Sequence, residues 1–328
     1  MLFLLTLLHF AVDGFCAAQL AEHALIFGND AALLELFALY NLIAFGGQWL
    51  AGLVFDFHPR FLPKALLLAS CFLFVAAMPF LALGHAVFLG LGNAFFHAAA
   101  GSLVLRRYAS YAAPGIFVAS GALGLALGLS RFLPSLFFGA IILCGTLFAF
   151  LLLCTSLPAK GDSLCSHQKR GHPALFFCVF LLLLCVLFRG FSPAHETKEC
   201  VLLFPCAVAF GKALGGILCD RIGYRKTLLV FFIVAFLALQ IEGLLSSLLL
   251  AFAFSLTMAL TLRLANLCFP LYSGCVFGLT AACLLPGAFW GTMTLAPQAM
   301  VALVFLAMTF AGSLFRKYAQ DRKTVFEK

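Results

Sequence analysis

Long runs of apolar residues, broken only by short polar segments, constrain this chain more than any other feature. Four of the longest runs lie at 65–83, 136–154, 174–188 and 228–239. Overall, 64% of the 328 residues are hydrophobic and only 10% are charged, with a mean hydropathy of +1.13. A soluble domain has about 25% charged residues, and its interior could not hide this much Phe and Leu from water. Lipid is therefore the solvent for most of the chain.

The pattern within these runs distinguishes between the two structures that can cross a bilayer. Because the hydrocarbon core cannot satisfy backbone polar groups, only helices and closed barrels span it. Barrel strands alternate apolar and polar residues over about ten positions. The runs here are nearly continuous instead. The sequence therefore predicts an all-α polytopic membrane protein.

Twelve helices of membrane-spanning length can be placed along the chain. A span needs about 20 residues, and Gly, Pro and charged clusters mark the ends of the candidates. In the first half they lie at 2–22, 33–55, 64–83, 85–105, 115–133 and 136–157. In the second half they lie at 173–190, 200–219, 227–243, 246–264, 272–290 and 297–315. We expect two six-helix bundles, 1–158 and 173–328 with a short basic tail, joined by a cytoplasmic linker at 159–172.

Positive charges in the short loops predict the orientation in the membrane. If both termini are cytoplasmic, sixteen Lys and Arg residues face the cytoplasm, and only Arg131, Arg189 and Lys198 face the other side. Lys212 lies within a span. Because Lys and Arg concentrate on the cytoplasmic side, this bias supports an even number of spans in the cell membrane. It also accounts for the net charge of +8 without nucleic acid as a partner.

An internal repeat relates the two halves of the chain. Residues 47–56 and 211–220 share the pattern G-[QK]-x-L-x-G-x-x-x-D. The copies are 164 residues apart, which is half of 328. Because secondary transporters are often built from such repeats, the pattern indicates a duplicated six-helix unit.

The second copy of the repeat continues into the segment GILCDRIGYRK at 216–226. This segment resembles the signature loop of the major facilitator superfamily, G-x-x-x-D-R-x-G-[RK]-[RK], with Tyr224 inserted before the basic pair. The matching residues are Gly216, Asp220, Arg221, Gly223, Arg225 and Lys226. The first copy keeps Gly52 and Asp56 but lacks the following Arg and the glycine turn. The resemblance implies a secondary transporter with two pseudo-symmetric bundles, the major facilitator fold.

The resemblance also implies a gating role for the two acids of the repeat. Asp56 and Asp220 are expected to hold the cytoplasmic side closed, each at the positive N-terminal end of a helix in the opposite half. The candidate helices begin after Pro114-Gly115 and near Ser273-Gly274. The glycine and the basic pair of the motif permit a tight turn and keep the loop cytoplasmic.

Several segments resemble a narrower group, the fosmidomycin-resistance branch of that superfamily. They are residues 9–13 (H-x-x-x-D) in helix 1, Gln48 with Gly52 and Asp56 in helix 2, residues 92–97 in helix 4, and Gly121, Gly124 and Gly128 in helix 5. The chain departs from that branch at Ala98-Ala99, where Pro-Glu normally follows the histidine, and at Leu129, where antiporters have proline. The branch resemblance implies efflux, and the departures leave uptake and uncoupled diffusion open.

His9 and Asp13 form the first candidate functional pair. Because they are four residues apart, they share one face of helix 1, near the middle of the span. A charged Asp at this depth costs about 2.5–3.5 kcal/mol, so it should not face lipid. We interpret the pair as a proton-binding or substrate-binding site. The alternative is a structural hydrogen bond between helix 1 and a neighbour.

His97, Lys212 and Gln48 are the other polar residues expected inside the bundle. His97, near the middle of helix 4, can join a proton relay or bond to another helix. Lys212 lies about 12 Å along its helix from Asp220, at 1.5 Å per residue. It is a counter-charge for Asp13, an anchor for an anionic substrate, or a stem over apolar surface whose head reaches water. Gln48 is its equivalent in the first half and can add a neutral hydrogen bond.

Other features indicate helix packing and exclude some classes of protein. Gly121, Gly124 and Gly128 are expected to let helix 5 pack closely against a neighbour. The sequence has no P-loop, no Gly-x-Ser-x-Gly, no metal-binding His pair and no acidic cluster for Mg²⁺. Its thirteen cysteines form no C-x-x-C pair. We therefore expect no enzyme activity, no metal site and no cofactor.

Together these features predict a secondary active transporter that works as a monomer in the lipid bilayer. Alternating access of the two bundles would move a small organic molecule. Protons are the expected coupling ion because Asp13 and His97 can titrate. Efflux is the favoured direction, with uptake or an uncoupled facilitator as alternatives. A non-transporting scaffold or membrane enzyme with this fold is the alternative from a different class, and a scaffold would not need charges at its centre.

Overall fold

The computed structural model describes residues 1–27, 31–78, 82–156, 172–190, 202–290 and 296–326, which are helical apart from short connections. The helices of the first half are α1 (Leu2–Phe27), α2 (Ala31–Asn41), α3 (Gln48–Phe57), α4 (Leu62–Ala76), α5 (Ala82–Arg107), α6 (Ala112–Leu129) and α7 (Ser135–Ser156). Those of the second half are α8 (Pro173–Gly190), α9 (Leu203–Ile222), α10 (Tyr224–Ala238), α11 (Leu244–Cys268), α12 (Ser273–Ala282), α13 (Leu285–Trp290) and α14 (Pro297–Phe326).

Eleven helical segments of the described ranges are long and apolar enough to cross a membrane. Two of them combine neighbouring helices: Leu34–Phe57 includes α3 and most of α2, and Pro270–Gly287 includes α12 and the start of α13. The twelfth segment, α10, has only 15 residues. Its predicted end at residue 243 is wrong, because the chain turns after Ala238 and Gly243 takes a φ of +80°. The prediction of an all-α polytopic membrane protein is confirmed.

The predicted linker and Lys198 lie largely or wholly outside the residues that the structure describes. The predicted linker at 159–172 lies outside the described residues except for His172, and Lys198 also lies outside them. The division at this linker therefore stays a prediction.

A short π-helical segment, Leu42–Gly46, interrupts the second span between α2 and α3. Hydropathy does not distinguish this geometry from a regular helix, so the sequence predicted one continuous helix here. Gln48 follows the segment and donates from Nε2 to the Ala44 carbonyl oxygen at 2.7 Å. π-bulges are frequent at functional sites, so this part of the second span is a candidate functional region.

The most extensive contacts between the halves are made by two pairs of helices: α6 packs along α9, and α3 packs along α12. Both contacts depend on glycine. A Cβ atom at Gly52 would overlap the Gly274 backbone, and one at Gly115 would lie 2.6 Å from the Lys212 carbonyl oxygen. Small residues allow helix backbones in membranes to approach this closely. The arrangement is pseudo-symmetric, because each pair joins a second span to the fifth span of the other half.

The outer surface of the bundle carries large apolar side chains. Phe3, Leu34, Phe132, Leu136 and Phe210 are between 63% and 81% exposed. Exposed apolar area on this scale indicates contact with lipid rather than water. In contrast, α1 and α5 are largely buried. The polar side chains of His9 on α1 and of Asn93 and His97 on α5 are buried against other helices.

Candidate functional site

Three titratable side chains meet inside the first half of the bundle. His9 and Asp13 lie one turn apart on α1, and His97 lies on α5. The two Nε2 atoms are 2.8 Å apart. Asp13 Oδ2 lies 3.2 Å from His9 Nε2, and Asp13 Oδ1 lies 3.3 Å from His97 Nε2. We refer to these three residues as the His–Asp–His triad.

The hydrogen bonds of the two rings determine which nitrogens carry hydrogens. His9 Nδ1 lies 2.7 Å from the Phe117 carbonyl oxygen, and His97 Nδ1 lies 2.9 Å from the Asn93 carbonyl oxygen. Because a carbonyl oxygen only accepts hydrogen bonds, both Nδ1 atoms donate. In neutral rings both Nε2 atoms are then acceptors, and they face each other and a carboxylate. Acceptors this close require a positive charge between them, either a shared proton or a metal ion.

The surroundings of the triad are mostly closed but not sealed. His9 and His97 are buried, whereas the Asp13 side chain is 19% exposed. Asn93, one turn before His97 on α5, donates from Nδ2 to Asp13 Oδ1 at 3.4 Å. Its Oδ1 atom is buried and has no hydrogen-bond partner among the described residues. The sequence identified Asn93 only as part of a helix 4 motif, since its contact with α1 depends on packing between helices.

Helix α6 covers the triad on one side. A Cβ atom at Gly121 would overlap Asp13 Oδ2 and His9 Nε2. Cβ atoms at Gly124 and Gly128 would overlap carbonyl oxygens of α1. The latter two positions therefore let the backbones of α1 and α6 approach, as expected for glycines in membrane helices. Gly121 has a further effect that the sequence did not indicate, because it leaves room for the polar atoms of the triad.

Lys212 does not pair with Asp13 in this structure. Its Nζ atom donates to the Val118 carbonyl oxygen of α6 at 3.4 Å, and it makes no ion pair within 4.0 Å among the described residues. Both oxygens of Asp13 face the histidines instead. Of the roles expected for Lys212, the direct counter-charge is therefore absent here. Gln48, its repeat-related position, is buried, and its Oε1 atom has no partner among the described residues.

Arg189 points inward although it lies in the last turn of α8. Its Nη1 atom donates to Thr257 Oγ1 at 3.3 Å, and its Nη2 atom is buried without a partner among the described residues. Thr257 lies 13 residues after the start of α11, which is about 20 Å along the helix at 1.5 Å per residue. The Arg189 guanidinium therefore lies inside the bundle, between α8 and α11.

Asp220 joins the two halves at the predicted cytoplasmic end. Its carboxylate accepts hydrogen bonds from the backbone N–H groups of Tyr111 (2.9 Å) and Ala112 (2.8 Å), where α6 begins. These groups have no partner within the helix, and the helix dipole favours an anion beside them. The contact lies slightly before Pro114-Gly115, the position expected from the sequence. Burial raises the pKa of the Tyr111 hydroxyl to about 12, so this side chain is uncharged.

Asp56 makes the corresponding contact from the first half to the second. Its carboxylate accepts hydrogen bonds from the N–H groups of Gly274 (2.9 Å) and Cys275 (2.8 Å), in the first turn of α12. The Asp56 side chain is 1% exposed, and Arg106 Nη2 donates to it at 2.6 Å. The first copy of the motif lacks an Arg after its acid, and the guanidinium that pairs with this acid comes from the end of α5. The sequence did not indicate this pairing.

The other motif residues divide into packing and surface positions. A Cβ atom at Gly216 would overlap the Tyr111 carbonyl oxygen, so Gly216 and Gly52 hold the halves together one turn before each acid. Gly223 has a φ of +86°, a conformation that favours glycine and lets the chain turn from α9 into α10. The charged residues of the loop are exposed: Arg221, Arg225 and Lys226.

The expectation of no metal site depended on the lack of closely spaced histidines in the sequence. His9 and His97 are 88 residues apart in sequence. The fold brings ligand atoms of His9, Asp13 and His97 within 4.8 Å of one another, an arrangement that can hold a metal ion. Ligands on separate helices cannot be found from spacing along the chain.

Comparisons with known proteins give matches among solved structures. No family model matches the sequence, and no curated protein matches it. The chain is similar to the major facilitator superfamily transporter FucP in the outward conformation, at 15% identity over 94% of this chain and 98% of that chain, with a TM-score of 0.64. It is similar to the fucose:proton symporter FucP of E. coli, at 16% identity over the same shares, with a TM-score of 0.60.

A third solved structure is a bacterial homologue of the iron transporter ferroportin in the outward-facing state. It is 15% identical over 96% of this chain and 98% of that chain, with a TM-score of 0.56. The three similarities confirm the predicted major facilitator fold. The narrower resemblance to the fosmidomycin-resistance branch stays a prediction.

Proposed function

We propose that this chain is a secondary transporter that couples the movement of a small organic solute to a proton by alternating access. The observation that carries the proposal is the His–Asp–His triad, in which two Nε2 atoms 2.8 Å apart adjoin one carboxylate. Ionisable residues inside a membrane bundle are costly and usually mark substrate or proton pathways. The chain is expected to act as a monomer in the cell membrane, with both termini in the cytoplasm.

A proton shared by the triad would link the net charge of its three side chains to the packing of α1 against α5. With the proton, one ring donates an N–H to the other, and the positive charge lies beside Asp13. Without it, two nitrogen lone pairs and a carboxylate repel one another at about 3 Å in a medium of low dielectric. Loss of the proton therefore favours a conformation in which α1 and α5 separate or water enters. Such a bistable element is what a coupled transporter requires.

The contacts of Asp56 and Asp220 provide the cytoplasmic gate in this proposal. Each acid adjoins a helix N-terminus of the opposite half. An anion at a helix N-terminus contributes about 0.3–1 kcal/mol, and up to about 2 kcal/mol when partly buried. Two such contacts hold the end closed but are weak enough to break in each cycle. This state corresponds to an outward-facing conformation. The branch resemblance favours efflux, and uptake is the alternative.

The positive side chains of Lys212 and Arg189 indicate a solute that carries negative charge. Lys212 and Arg189 lie deep in the bundle, and neither has an ion pair within 4.0 Å among the described residues. Intramembrane charges normally pair with an opposite charge or with a substrate. The solved neighbours do not decide the solute, because one is described as a fucose symporter and another as an iron transporter homologue.

Solute-dependent proton movement in liposomes tests the proposal. The purified chain is placed in vesicles that hold a pH-sensitive dye, and small organic acids, sugars and amines are added in turn. We expect at least one solute to move protons in wild type and none to do so in Asp13→Asn. Glu35→Gln, an exposed acid on α2, is the matched control and should behave as wild type. Solute movement without protons, or proton movement unchanged in Asp13→Asn, would contradict coupling at the triad.

A further inference from the structure

We propose that the His–Asp–His triad also binds a divalent transition-metal ion, which takes the place of the shared proton. The ligands are His9 Nε2, His97 Nε2 and an oxygen of Asp13. Imidazole nitrogens together with a carboxylate suit Zn²⁺, Fe²⁺ and Co²⁺, whereas Mg²⁺ and Ca²⁺ prefer oxygen ligands. The proposal concerns binding and does not depend on whether the chain moves a solute.

The separations of the ligand atoms fit a bound ion. With bonds of about 2.1 Å, neighbouring ligand atoms lie about 3.0 Å apart around an octahedral ion and about 3.4 Å apart around a tetrahedral ion. The measured separations are 2.8 Å between the two Nε2 atoms, and 3.2 Å and 3.3 Å from these nitrogens to the Asp13 oxygens. Each Asp13 oxygen faces one of the two nitrogens, so an ion between the rings would be bound by one carboxylate oxygen after a small rotation of the group, or by both.

The outer hydrogen bonds hold each ring in the state that a metal requires. A histidine that binds a metal through one nitrogen usually donates the other N–H to a carbonyl or carboxylate, which fixes its tautomer and orientation. Both rings of the triad do this, through the carbonyl oxygens of Phe117 and Asn93. The Nε2 atoms of both rings are thereby left as acceptors, and they lie 2.8 Å apart.

Asn93 offers a partner for a further ligand. Its Oδ1 atom is buried without a partner among the described residues, and its Nδ2 atom lies 3.4 Å from Asp13 Oδ1. A water molecule on the ion is a hydrogen-bond donor and could satisfy this acceptor. The Asp13 side chain is 19% exposed, so the triad is not fully closed to solvent. The site therefore has three ligands and hydrogen-bond partners that orient them.

Titration of the purified full-length chain with Co²⁺ and with Zn²⁺ tests this proposal. After chelation and at neutral pH, visible absorption reports the Co²⁺ ligand field, and calorimetry with Zn²⁺ gives the stoichiometry. We expect one ion per chain at a common site. Loss of a group that only hydrogen-bonds a ligand weakens metal binding about 10- to 100-fold, so loss of the ligand itself in His97→Gln should weaken it by at least about 100-fold. His58→Gln, an exposed histidine outside the triad, is the matched control and should bind as wild type.

A second variant distinguishes loss of a metal ligand from loss of folding. Asp13→Asn keeps the size of the side chain, and thermal melting of both variants shows whether they remain folded. Loss of binding in a folded triad variant, with binding in wild type that weakens as pH falls, supports the proposal. Absence of stoichiometric binding in wild type, or equal binding in wild type and both triad variants, overturns it. If binding is absent but solute-driven proton movement persists, the metal site is refuted and the proposed transport function stands.

Discussion

The Nε2 atoms of His9 and His97 lie 2.8 Å apart, while the Nδ1 atom of each ring faces a backbone carbonyl oxygen. Two neutral rings in these orientations present lone pairs to each other, so their separation depends on whether a cation lies between them. His9 belongs to α1 and His97 to α5. The charge state of the triad is therefore linked to the packing of these two helices. Such a link lets a transporter couple proton binding to a change of conformation.

Gly121→Ala should disrupt the triad. The added Cβ atom would overlap Asp13 Oδ2 and His9 Nε2, so the side chains or α6 must move. Overpacking of this kind costs about 1–3 kcal/mol. We expect a lower melting temperature and loss of solute-driven proton movement. Gly139→Ala is the matched control, because its Cβ atom would make ordinary contacts at 3.6 Å. Equal behaviour of the two variants would show that the triad tolerates displacement.

Asp220→Asn should loosen the contact between α9 and α6. The amide loses the negative charge that the N-terminus of α6 favours, a change of about 1 kcal/mol. We expect Cys219, which is buried beside Asp220, to react several-fold faster with a water-soluble maleimide, as measured by peptide mass spectrometry. Cys185, buried in the second-half core, is the internal control and should not change. Unchanged labelling of Cys219 would argue against a gating role.

Asp56→Asn should open the first-half contact more than Arg106→Gln does. Asp56 accepts hydrogen bonds from two N–H groups of α12, whereas Arg106 is a partly exposed partner of that acid. Asp56→Asn removes the charge from both the helix-end contact and the ion pair, whereas Arg106→Gln removes only the ion pair, so its effect should be smaller. The labelling rate of Cys275, whose N–H group binds Asp56, measures the difference. A larger effect of Arg106→Gln would place the guanidinium, and not the helix end, at the centre of this contact.

Lys212→Gln and Arg189→Gln should weaken the transport of acidic solutes. Removal of either cation removes a charge that an anionic solute can pair with, so we expect KM to rise about 10-fold or more for acids. Neutral solutes, if moved, should keep their KM. Arg131→Gln, an exposed residue in the turn after α6, is the matched control. An unchanged KM for acids in both variants would show that these cations do not contact the solute.

Hydropathy and one motif were enough to predict the fold and the positions of the two capping acids. Continuous apolar runs define helices because lipid leaves the backbone no other partner, and this reasoning requires no knowledge of packing. The motif placed Asp56 and Asp220 near helix starts of the opposite half, where the structure has them. The shorter α10 and the π-helical segment before Gln48 were missed, since both change local geometry without changing hydropathy.

The composition of the candidate site could be predicted only in part. His9 and Asp13 share a helix face, so their spacing was sufficient to pair them. The contact of His97 with that pair depends on how α5 crosses α1, and spacing carries no information about this. The same holds for Arg106 beside Asp56 and for Arg189 beside Thr257. In each case the partner lies on another helix, more than 40 residues away in sequence.

Nitrogen-15 NMR of the histidine side chains tests the central claim, that His9 and His97 share a proton. The measurement uses metal-free protein at neutral pH, with His97→Gln to assign the signals. We predict a coupled pair of Nε2 signals in wild type whose positions lie between those of protonated and unprotonated nitrogen, and which the variant lacks. Two Nε2 signals at the unprotonated position throughout the neutral range would contradict the account, because the triad would then hold no proton to couple to a solute.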